Sequence, residues 1–352
     1  MPTPVYIPID PAAAPQDANG FLLDFEMQFL RGLRAQVPAD DWHTRFAYMP
    51  AGASETLDVR TPFDTTVLAF AEYNGVPTFA KADRVYTDLT IGKFWGGTSL
   101  NTQLLRSQRM VEIEAWNGRA AQLMDAWNQF LPPKIYDMLT AGQTAISGGH
   151  FLTGGSAFFA TDHYYNVKHT GLGTFSNLID DGGALASTPI YAIISGGPFS
   201  RMYPWQIRKG AGPADSLTRG GIPHNASPGM PWVVKWIPRS ESEIIESNFE
   251  TKLGVYAELG WGLLCPHTII RFEGTLNYAG LKSIVDNARA RKDLNGYNPA
   301  SQIGIAAILC EASQVSTING LLGREVTDTG ARQVDLRIDS ALQGAAVIPM
   351  SR

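Results

Sequence analysis

The chain has 352 residues, of which 44% are hydrophobic and only 17% are charged, and its formal net charge is −5. An acidic balance without a basic tail argues against nucleic-acid binding as the main activity. The two cysteines, Cys265 and Cys310, do not have the spacing of a metal or redox motif, and no apolar run reaches the roughly 18 residues of a membrane-spanning helix.

Residues 1–20 are predicted to form an extended arm. They lack the charged and apolar regions of a signal peptide, so we expect synthesis in a cytosol. Residues 1–20 contain five prolines and are expected to need a partner surface to become ordered. Residues 21–36 have helical spacing, and this helix is expected to dock either on another subunit or on the chain's own core. Its apolar face supplies three candidate interface residues, Phe25, Phe29 and Leu33.

Residues 46–108 are predicted to form an extended loop rich in β-structure. Alternating and β-branched runs at 65–70, 85–92 and 94–100 are separated by glycine and proline, which is typical of ribbons and hairpins. The segment has few core-forming runs, so we expect it to project from a body. Its candidate interface residues are Phe94 and Trp95.

A long helix is predicted over residues 109–141. Apolar side chains recur there every three or four residues, as on one helix face: Ile113, Trp116, Ala120, Leu123, Trp127 and Phe130. Pro132 and Pro133 interrupt the helix, and because proline is tolerated in a first turn, a second piece is expected from 134 to 141, ending at Gly142. The pattern fits an ordinary core helix as well as a spine against which sheets pack.

The rest of the chain is predicted to contain strands and then a compact α/β unit. A buried strand is expected at 190–195, a surface loop at 209–231, an extended segment at 232–237 and a pair of strands within 249–272. From residue 276 the periodicity changes to alternating helices and strands. The expected elements are a helix capped by Asn277, a strand at 303–310, a helix at 314–322 stopped by Gly323, and strands at 334–338 and 345–349.

Few residues form catalytic or metal-binding patterns. Five potential ligands occur in a glycine-rich region, where capping and strand-end hydrogen bonds are the simpler interpretation: Asp162, His163, His169, Asp180 and Asp181. Cys265 and His267 are more typical of core contacts than of a nucleophile and its base. Zinc-protease, nucleophile-elbow and phosphate-loop motifs are absent from the sequence. We therefore expect no enzyme activity, no metal and no cofactor.

Several segments resemble a known family. FFATDH at 158–163, followed by TFSNL at 174–178, resembles the FF-T-H and YSN-L signature of the Mu-like phage major head subunit family. PWQIR at 204–208 resembles that family's PF-x-Q-x-R element, and GVYAELGWGLL at 254–264 is similar to its closing YGV-x-A-x-x-GYGLW element. The helix–strand–helix unit at 276–322 is similar to the family's apical helix and strand.

The resemblance implies a major capsid protein of a tailed bacteriophage or prophage with the Hong Kong 97 fold, an α+β architecture. In that fold residues 1–45 would be the N-terminal arm and 46–108 the extended β loop over a neighbouring subunit. Residues 109–272 would be the peripheral domain with its long spine helix at 109–141, and 273–352 would be the axial domain and C-terminal strands.

The resemblance also implies partners and a location. Copies of the chain would self-assemble into hexamers and pentamers of an icosahedral shell in the host bacterial cytoplasm, and the final location would be the virion. Portal and scaffolding proteins and a decoration or cement protein would be further partners. A separate scaffolding protein is expected because about 40 residues before the loop are too few for a scaffolding domain of about 100 residues.

Packaged double-stranded DNA would be held by weak, non-specific contacts, and no membrane would be involved. Two other functions remain open from the sequence. One is a different phage structural role. The other is a small hydrolase with an aromatic-lined cleft, suggested by the eight tryptophans.

Overall fold

The computed structural model describes residues 42–50, 54, 56–67, 80–101, 122, 125–126, 129–142, 157–182, 185–210, 232–236, 250–323, 341–342 and 344–350. The helices of this described part are α1 (Trp42–Arg45), α2 (Leu131–Ala141), α3 (Tyr278–Arg289) and α4 (Val315–Leu322). Its strands are β1 (Ala47–Tyr48), β2 (Asp58–Asp64), β3 (Arg84–Thr90), β4 (Gly92–Asn101), β5 (His163–Tyr164), β6 (Thr174–Phe175), β7 (Leu178–Ile179), β8 (Ile190–Ser195), β9 (Trp205–Lys209), β10 (Trp232–Trp236), β11 (Glu250–Leu263), β12 (Ile269–Phe272), β13 (Gly304–Cys310) and β14 (Ala346–Pro349).

Strands β2 and β3 form an antiparallel two-stranded ribbon inside the predicted extended loop. Their register runs from Asp58 opposite Thr90 to Asp64 opposite Arg84. The first strand therefore ends before the extended run that the sequence predicts at 65–70. It ends there because the Asp64 carboxylate accepts a hydrogen bond from the backbone N–H of Thr66, at 3.0 Å, which turns the chain.

Strand β11 organises the first sheet. It pairs antiparallel with β4, β9 and β10, and β1 adds to β9 in parallel. Leu259 pairs with both Gly92 and Lys209, so β4 and β9 lie on opposite edges of β11. The ribbon approaches this sheet closely, since a Cβ added at Gly260 would lie 3.0 Å from the carbonyl oxygen of Thr90.

Strand β8 is central in the second sheet, whose order is β14-β13-β8-β12-β7. It pairs antiparallel with β12 and β13, and all of its residues except Ser195 are buried. A continuous apolar run is what a strand covered on both faces requires. The buried strand predicted at 190–195 is thereby confirmed. The pair of strands predicted within 249–272 is also present, as β11 and β12, but the two belong to different sheets.

The second sheet separates two apolar clusters. Ile190, Ala192 and Ile194 face α3 and α4 in one cluster. Tyr191 and Ile193, on the opposite face of β8, belong to the other cluster together with α2 and β9. The core of the protein therefore lies on both sides of this sheet.

The helices that cover the second sheet begin and end close to the predicted positions. The side chain of Asn277 accepts a hydrogen bond from the backbone N–H of Gly280, at 2.8 Å, and so caps α3. Gly323 follows α4, and its N–H bonds the carbonyl of Asn319. Strand β14 confirms the strand expected at 345–349, whereas 334–338 lies outside the described residues.

The second sheet extends across the boundary that the sequence analysis places between 272 and 273. Strands β7, β8 and β12 precede this boundary, whereas β13 and β14 follow it. The α/β unit therefore draws its sheet from two separated parts of the chain. Periodicity identifies each strand but carries no information about which strands pair with it. The sequence pattern therefore does not reveal that this sheet is built from two separated parts of the chain. The division into arm, loop, peripheral and axial domains stays a prediction.

Helix α2 is the longest described part of the predicted long helix, and residues 122 and 125–126, which are also described, are helical. It begins at Leu131, with Pro132 and Pro133 in its first turn, and is followed by Gly142. Proline lacks an N–H, and the first turn of a helix does not use one, so the prolines can open α2. The predicted second piece after an interruption is thus confirmed, although it begins at Leu131 and not at 134. The chain turns at 129–130, just before the prolines. Residues 102–121, which hold much of the predicted spine, lie outside the described part.

Candidate interaction surfaces

The inner side of the ribbon is attached to the first sheet by a polar network. The buried Oε1 atom of Gln206 accepts hydrogen bonds from Thr61 Oγ1, at 2.6 Å, and from Arg208 Nε, at 3.2 Å. Arg208 Nη2 also donates to Thr61 Oγ1, at 2.8 Å. The same guanidinium lies 5.0 Å from the centroid of the Tyr48 ring. Strand β2 thus has a fixed position on β9.

A single amide side chain attaches the end of the ribbon to the body. The Nδ2 atom of the buried residue Asn166 donates to the carbonyl oxygen of Thr65, at 2.9 Å, and to that of Leu294, at 3.1 Å. Thr65 directly follows β2, and Leu294 lies in the turn after α3. Asn166 therefore connects three segments that are far apart in the sequence.

Replacing Asn166 with alanine should loosen the ribbon. The change leaves the buried carbonyl group of Thr65 and the half-buried one of Leu294 without this donor, a loss of about 1–3 kcal/mol. Hydrogen–deuterium exchange should become faster at 58–64 and 84–90, with little change in α3. The matched control is Asn298→Ala, because Asn298 is exposed. Unchanged exchange in the ribbon would show that Asn166 does not hold it.

Arg271, in β12, connects the second sheet to the C-terminal end of α2. Its Nε donates to Glu273 Oε1, at 2.6 Å, and its Nη1 donates to the carbonyl oxygens of Leu139, at 3.0 Å, and Thr140, at 2.8 Å. The guanidinium also lies 5.6 Å from the Phe159 ring centroid. The last carbonyls of a helix have no partner within the helix, so this buried cation stabilises both the helix end and its contact with the sheet.

Arg291 joins the loops around β7 and β12 in a similar way. It donates to the carbonyl oxygens of Pro266, at 3.0 Å, His267, at 2.8 Å, and Ser176, at 3.1 Å. Its guanidinium lies 4.7 Å from the Phe175 ring centroid. Burial lowers the pKa of Arg291 to about 9, so the side chain is still charged at neutral pH.

Asn177 explains why FFATDH and TFSNL occur together. Its side chain is completely buried; it accepts from the N–H of Ala160, at 2.9 Å, and donates to the carbonyl oxygen of Phe158, at 2.8 Å. His163 also bonds this carbonyl, through Nε2 at 2.9 Å. Both segments are thus held together by side chains that bond to backbone.

Three of the five potential metal ligands of this region, His163, Asp180 and Asp181, form side-chain hydrogen bonds with backbone groups. Asp180 accepts from the N–H of Gly182, at 2.8 Å, and Asp181 accepts from the N–H of Thr275, at 3.2 Å. His163 is buried and His169 is exposed. Within the described ranges, the structure contains no group of three or more His, Cys, Asp or Glu side chains arranged to hold a metal ion.

Cys265 and His267 are close together but both are neutral. The Sγ atom lies 3.7 Å from Nδ1, and both residues are buried. Burial raises the pKa of the thiol to about 12. Burial, with a smaller contribution from the charge of Arg291, lowers the pKa of His267 to about 3. A nucleophilic cysteine needs a thiolate, and this pair does not provide one at neutral pH.

Both cysteines are expected to be inert in the folded protein. Cys265 and Cys310 have no solvent exposure, and burial also raises the pKa of Cys310, to about 11. A thiol reagent at pH 8 should therefore modify neither residue in the native protein and both after denaturation, as counted by mass spectrometry. Rapid native labelling of Cys265 would mean that this part of the core opens.

The candidate interface residues have different surroundings. Phe94 is half-buried, and its ring centroid lies 5.5 Å from Trp261 and 4.9 Å from Phe130, so it packs within the subunit. Trp95 is paired through its backbone with Tyr256. The other three candidates, Phe25, Phe29 and Leu33, lie outside the described residues. A role for any of the five between subunits stays a prediction.

The buried polar residues that join separate segments are absent from the predicted sites. They are Asn166, Asn177, Gln206, Arg271 and Arg291. Two of them lie in motifs that the sequence does reveal, TFSNL and PWQIR. A third, Arg271, lies inside the apolar run IIRF at 269–272. A charged residue in such a run indicates a buried cation with a specific partner.

Among the described helices, none is long and apolar enough to cross a membrane. No family model and no curated protein matches the sequence. Solved structures do match. A chain of the procapsid of bacteriophage JBD30 superposes with a TM-score of 0.59 over 97% of this chain and 99% of that chain, at 17% identity. This chain has an α+β phage capsid fold.

Two further capsid structures agree with this assignment. A chain of the bacteriophage JBD30 capsid gives a TM-score of 0.58 over 90% of this chain and 91% of that chain, at 13% identity. A chain of the JBD30 capsid decorated with minor capsid protein trimers gives 0.56 over 89% and 91%, also at 13% identity. The capsid fold predicted from the motifs is confirmed, and it covers nearly the whole of both chains.

Proposed function

We propose that the protein is the major capsid protein of a tailed bacteriophage or prophage, and that its copies form the hexamers and pentamers of an icosahedral shell. The agreement with the JBD30 procapsid chain over 97% of this chain and 99% of that chain is the observation that carries the proposal. A match over nearly the full length of both chains supports a capsid-subunit fold more strongly than a match to one shared domain would.

The arrangement of the elements suits a shell subunit. The second sheet is covered on both faces, and Arg271 ties α2 to it. This gives a stiff body that can transmit a fixed geometry from one contact to the next. Head-to-tail contacts between such bodies close into rings when the rotation between neighbours allows it. Small changes of that rotation let one chain form both rings of six and rings of five.

The protein is proposed to have no catalytic role in the shell. The Cys265–His267 pair, which sequence analysis considers as a nucleophile and base, is neutral and buried. The side chains of Asp180 and Asp181 accept hydrogen bonds from backbone N–H groups. The polar groups described here therefore hold the chain together.

Several partners belong to the proposal. Scaffolding and portal proteins would act during assembly in the host bacterial cytoplasm, and a decoration or cement protein would bind the shell of the virion. The formal net charge of −5 supports weak, non-specific contact with packaged double-stranded DNA. The motifs FFATDH, TFSNL and PWQIR support placement of the chain among Mu-like head subunits. The presence of the same segments in further Mu-like head subunits would test this placement.

Electron microscopy of the purified full chain tests the proposed function. Alone or with the scaffolding protein of the same phage, the protein should form shells or rings of five and six subunits. Sedimentation velocity should show the same large species in solution. A homogeneous small oligomer under all assembly conditions, with or without the scaffolding protein, would contradict the proposal.

A further inference from the structure

The outer face of the β2–β3 ribbon is exposed along its whole length. Side chains alternate strictly: every second residue of both strands faces outward, and the residues between them are buried or half-buried. The outward residues are Asp58, Arg60, Pro62 and Asp64 of β2 and Arg84, Tyr86, Asp88 and Thr90 of β3. The side chains of Arg60 and Asp88 are 73% and 54% exposed.

Charges on this face form a regular array. Arg60 lies opposite Asp88, with a distance of 3.0 Å between Nε and Oδ1. Four residues further along β2, Asp64 lies opposite Arg84, in the reverse order of charge. Hydrogen bonds from the neighbouring Thr66, together with the charge of Arg84, lower the pKa of Asp64. Among these four residues, the positive charges occupy one diagonal and the negative charges the other. Asp58, opposite Thr90, adds a third carboxylate at the end of the face.

An apolar pair marks the centre of the array. Pro62 lies opposite Tyr86, between the two charged pairs. Tyr86 is 41% exposed, which makes it one of the most exposed large hydrophobic side chains of the described part. Tyrosine is enriched at protein interfaces, where it combines a large apolar ring with a polar end.

This pattern is complementary to itself. If a second copy is turned face to face about a two-fold axis along the ribbon, each Arg60 meets Asp88 of the other copy and each Asp64 meets Arg84. If the axis runs across the ribbon, Arg60 meets Asp64 and Arg84 meets Asp88. In either case every cation faces a carboxylate, and Tyr86 lies at the centre against Pro62 or against its own copy.

We propose that the outer face of the ribbon binds the same face of a second copy of this chain about a two-fold axis. The proposed function requires contacts between copies but does not say which face of the ribbon makes them or with what symmetry, so this inference rests on that function for its setting. A face with two positive and three negative charges has no net attraction for nucleic acid. A surface that is complementary to itself favours an isologous contact.

The contact is expected to be weak when isolated. Eight side chains on a two-stranded ribbon cover less than the roughly 800 Å² per partner of a standard interface. Within a shell, each subunit is already held near its neighbours by other contacts, and a weak pairing then acts as part of a multivalent assembly. Measurements should therefore use the full chain under assembly conditions.

Charge reversal in two matched variants tests the pairing. Arg60→Asp with Arg84→Asp makes the face wholly acidic. Asp64→Arg with Asp88→Arg makes the four paired positions basic and leaves Asp58 unchanged. Each variant alone should lose at least about fivefold of its assembled fraction in sedimentation velocity, because like charges face each other. An equal mixture should recover most of it. The Arg60–Asp88 pair within each chain is broken in both variants, and mixing does not repair it. Recovery in the mixture therefore reports a contact between copies.

A control separates the ribbon from general charge effects. Lys282 and Asp286 form an exposed pair on α3, and a Lys282→Asp variant mixed with an Asp286→Lys variant should show neither loss nor recovery. If the two ribbon variants assemble as well alone as in the mixture, or if mixing restores nothing, the pairing is wrong. Native protein that forms shells in the same experiment would leave the proposed function intact.

Cysteine cross-linking gives a second test that does not depend on shells. Cys265 and Cys310 are buried, so a Tyr86→Cys variant carries one accessible thiol. Under mild oxidation, a disulfide-linked dimer of Tyr86→Cys supports an axis across the ribbon. A dimer formed only when Tyr86→Cys and Pro62→Cys are mixed supports an axis along it. Dimers in neither case, or equal dimers from a Tyr297→Cys control, would overturn the proposal.

Discussion

Replacing Arg271 with methionine is expected to lower the free energy of unfolding by about 3–5 kcal/mol. The substitution leaves the carboxylate of Glu273 buried next to an apolar side chain, and the side chains of the two residues are only 1% and 4% exposed. It also removes the donor to the carbonyl oxygens of Leu139 and Thr140. The end of α2 and the second sheet should separate first, which proteolysis near residue 142 would detect.

Two variants make this expectation specific. Arg271→Lys retains the charge but not the planar fork that reaches a carboxylate and two carbonyls at once, so its loss should be intermediate. Lys282→Met removes one partner of an exposed pair, whose side chains are 53% and 56% exposed, and should cost less than about 1 kcal/mol. Urea unfolding followed by tryptophan fluorescence measures all three. Equal losses for Arg271→Met and Lys282→Met would contradict the role of Arg271.

Acidification is expected to destabilise the protein through His267, by up to about 5 kcal/mol. Burial and the nearby charge of Arg291 lower the pKa of this residue from 6.5 to about 3. Below pH 6.5 the unfolded chain therefore binds a proton that the folded protein does not. Stability is lost as the pH falls from 6.5 towards 3, and this contribution stays constant below the folded pKa. Burial also lowers the pKa of His163, which adds a loss in the same direction.

The pH dependence can be assigned by substitution. His267→Gln should be less stable than the natural protein at pH 7, because it disturbs the hydrogen bond from Nε2 to the carbonyl oxygen of Tyr165, at 2.9 Å. The difference between the two should shrink as the pH falls to 4, since the variant has no proton to take up at this position. The exposed His169, changed to glutamine, should follow the natural protein at every pH. Parallel curves for all three would exclude His267 as the source.

Local elements of the fold can be predicted from the sequence with good accuracy. Strand β8 is an unbroken apolar run, α3 has a capping asparagine and an apolar face, and α4 is followed by glycine. In each case the deciding interactions lie within a few residues, so periodicity and capping chemistry are sufficient. The motifs around Asn177 and Gln206 predicted the capsid fold through their resemblance to a known family. In the structure, the buried amide of Asn177 bonds the backbone of Phe158 and Ala160, and that of Gln206 bonds the side chains of Thr61 and Arg208.

Contacts between distant parts of the chain could not be predicted in this way. Strand periodicity shows which side chains share a face, but β8 finds its neighbours in β12 and β13 only when the chain is folded. From the sequence alone, the strands on either side of residue 273 are therefore predicted to belong to separate domains. In the same way, Arg271 is recognisable in the sequence as a charged residue in an apolar strand, but its partners in α2 lie more than a hundred residues away.

The amino-acid sequence by itself determined the local helices and strands, the low charge and the motifs of a capsid subunit, because these depend on neighbouring residues. The tertiary structure alone decided which groups are buried and paired. It left Cys265 and His267 neutral in the core, attached the ribbon through Asn166, and placed the charges of the ribbon on one exposed face. Burial and pairing depend on contacts between residues far apart in the chain, and local sequence patterns carry no information about those contacts.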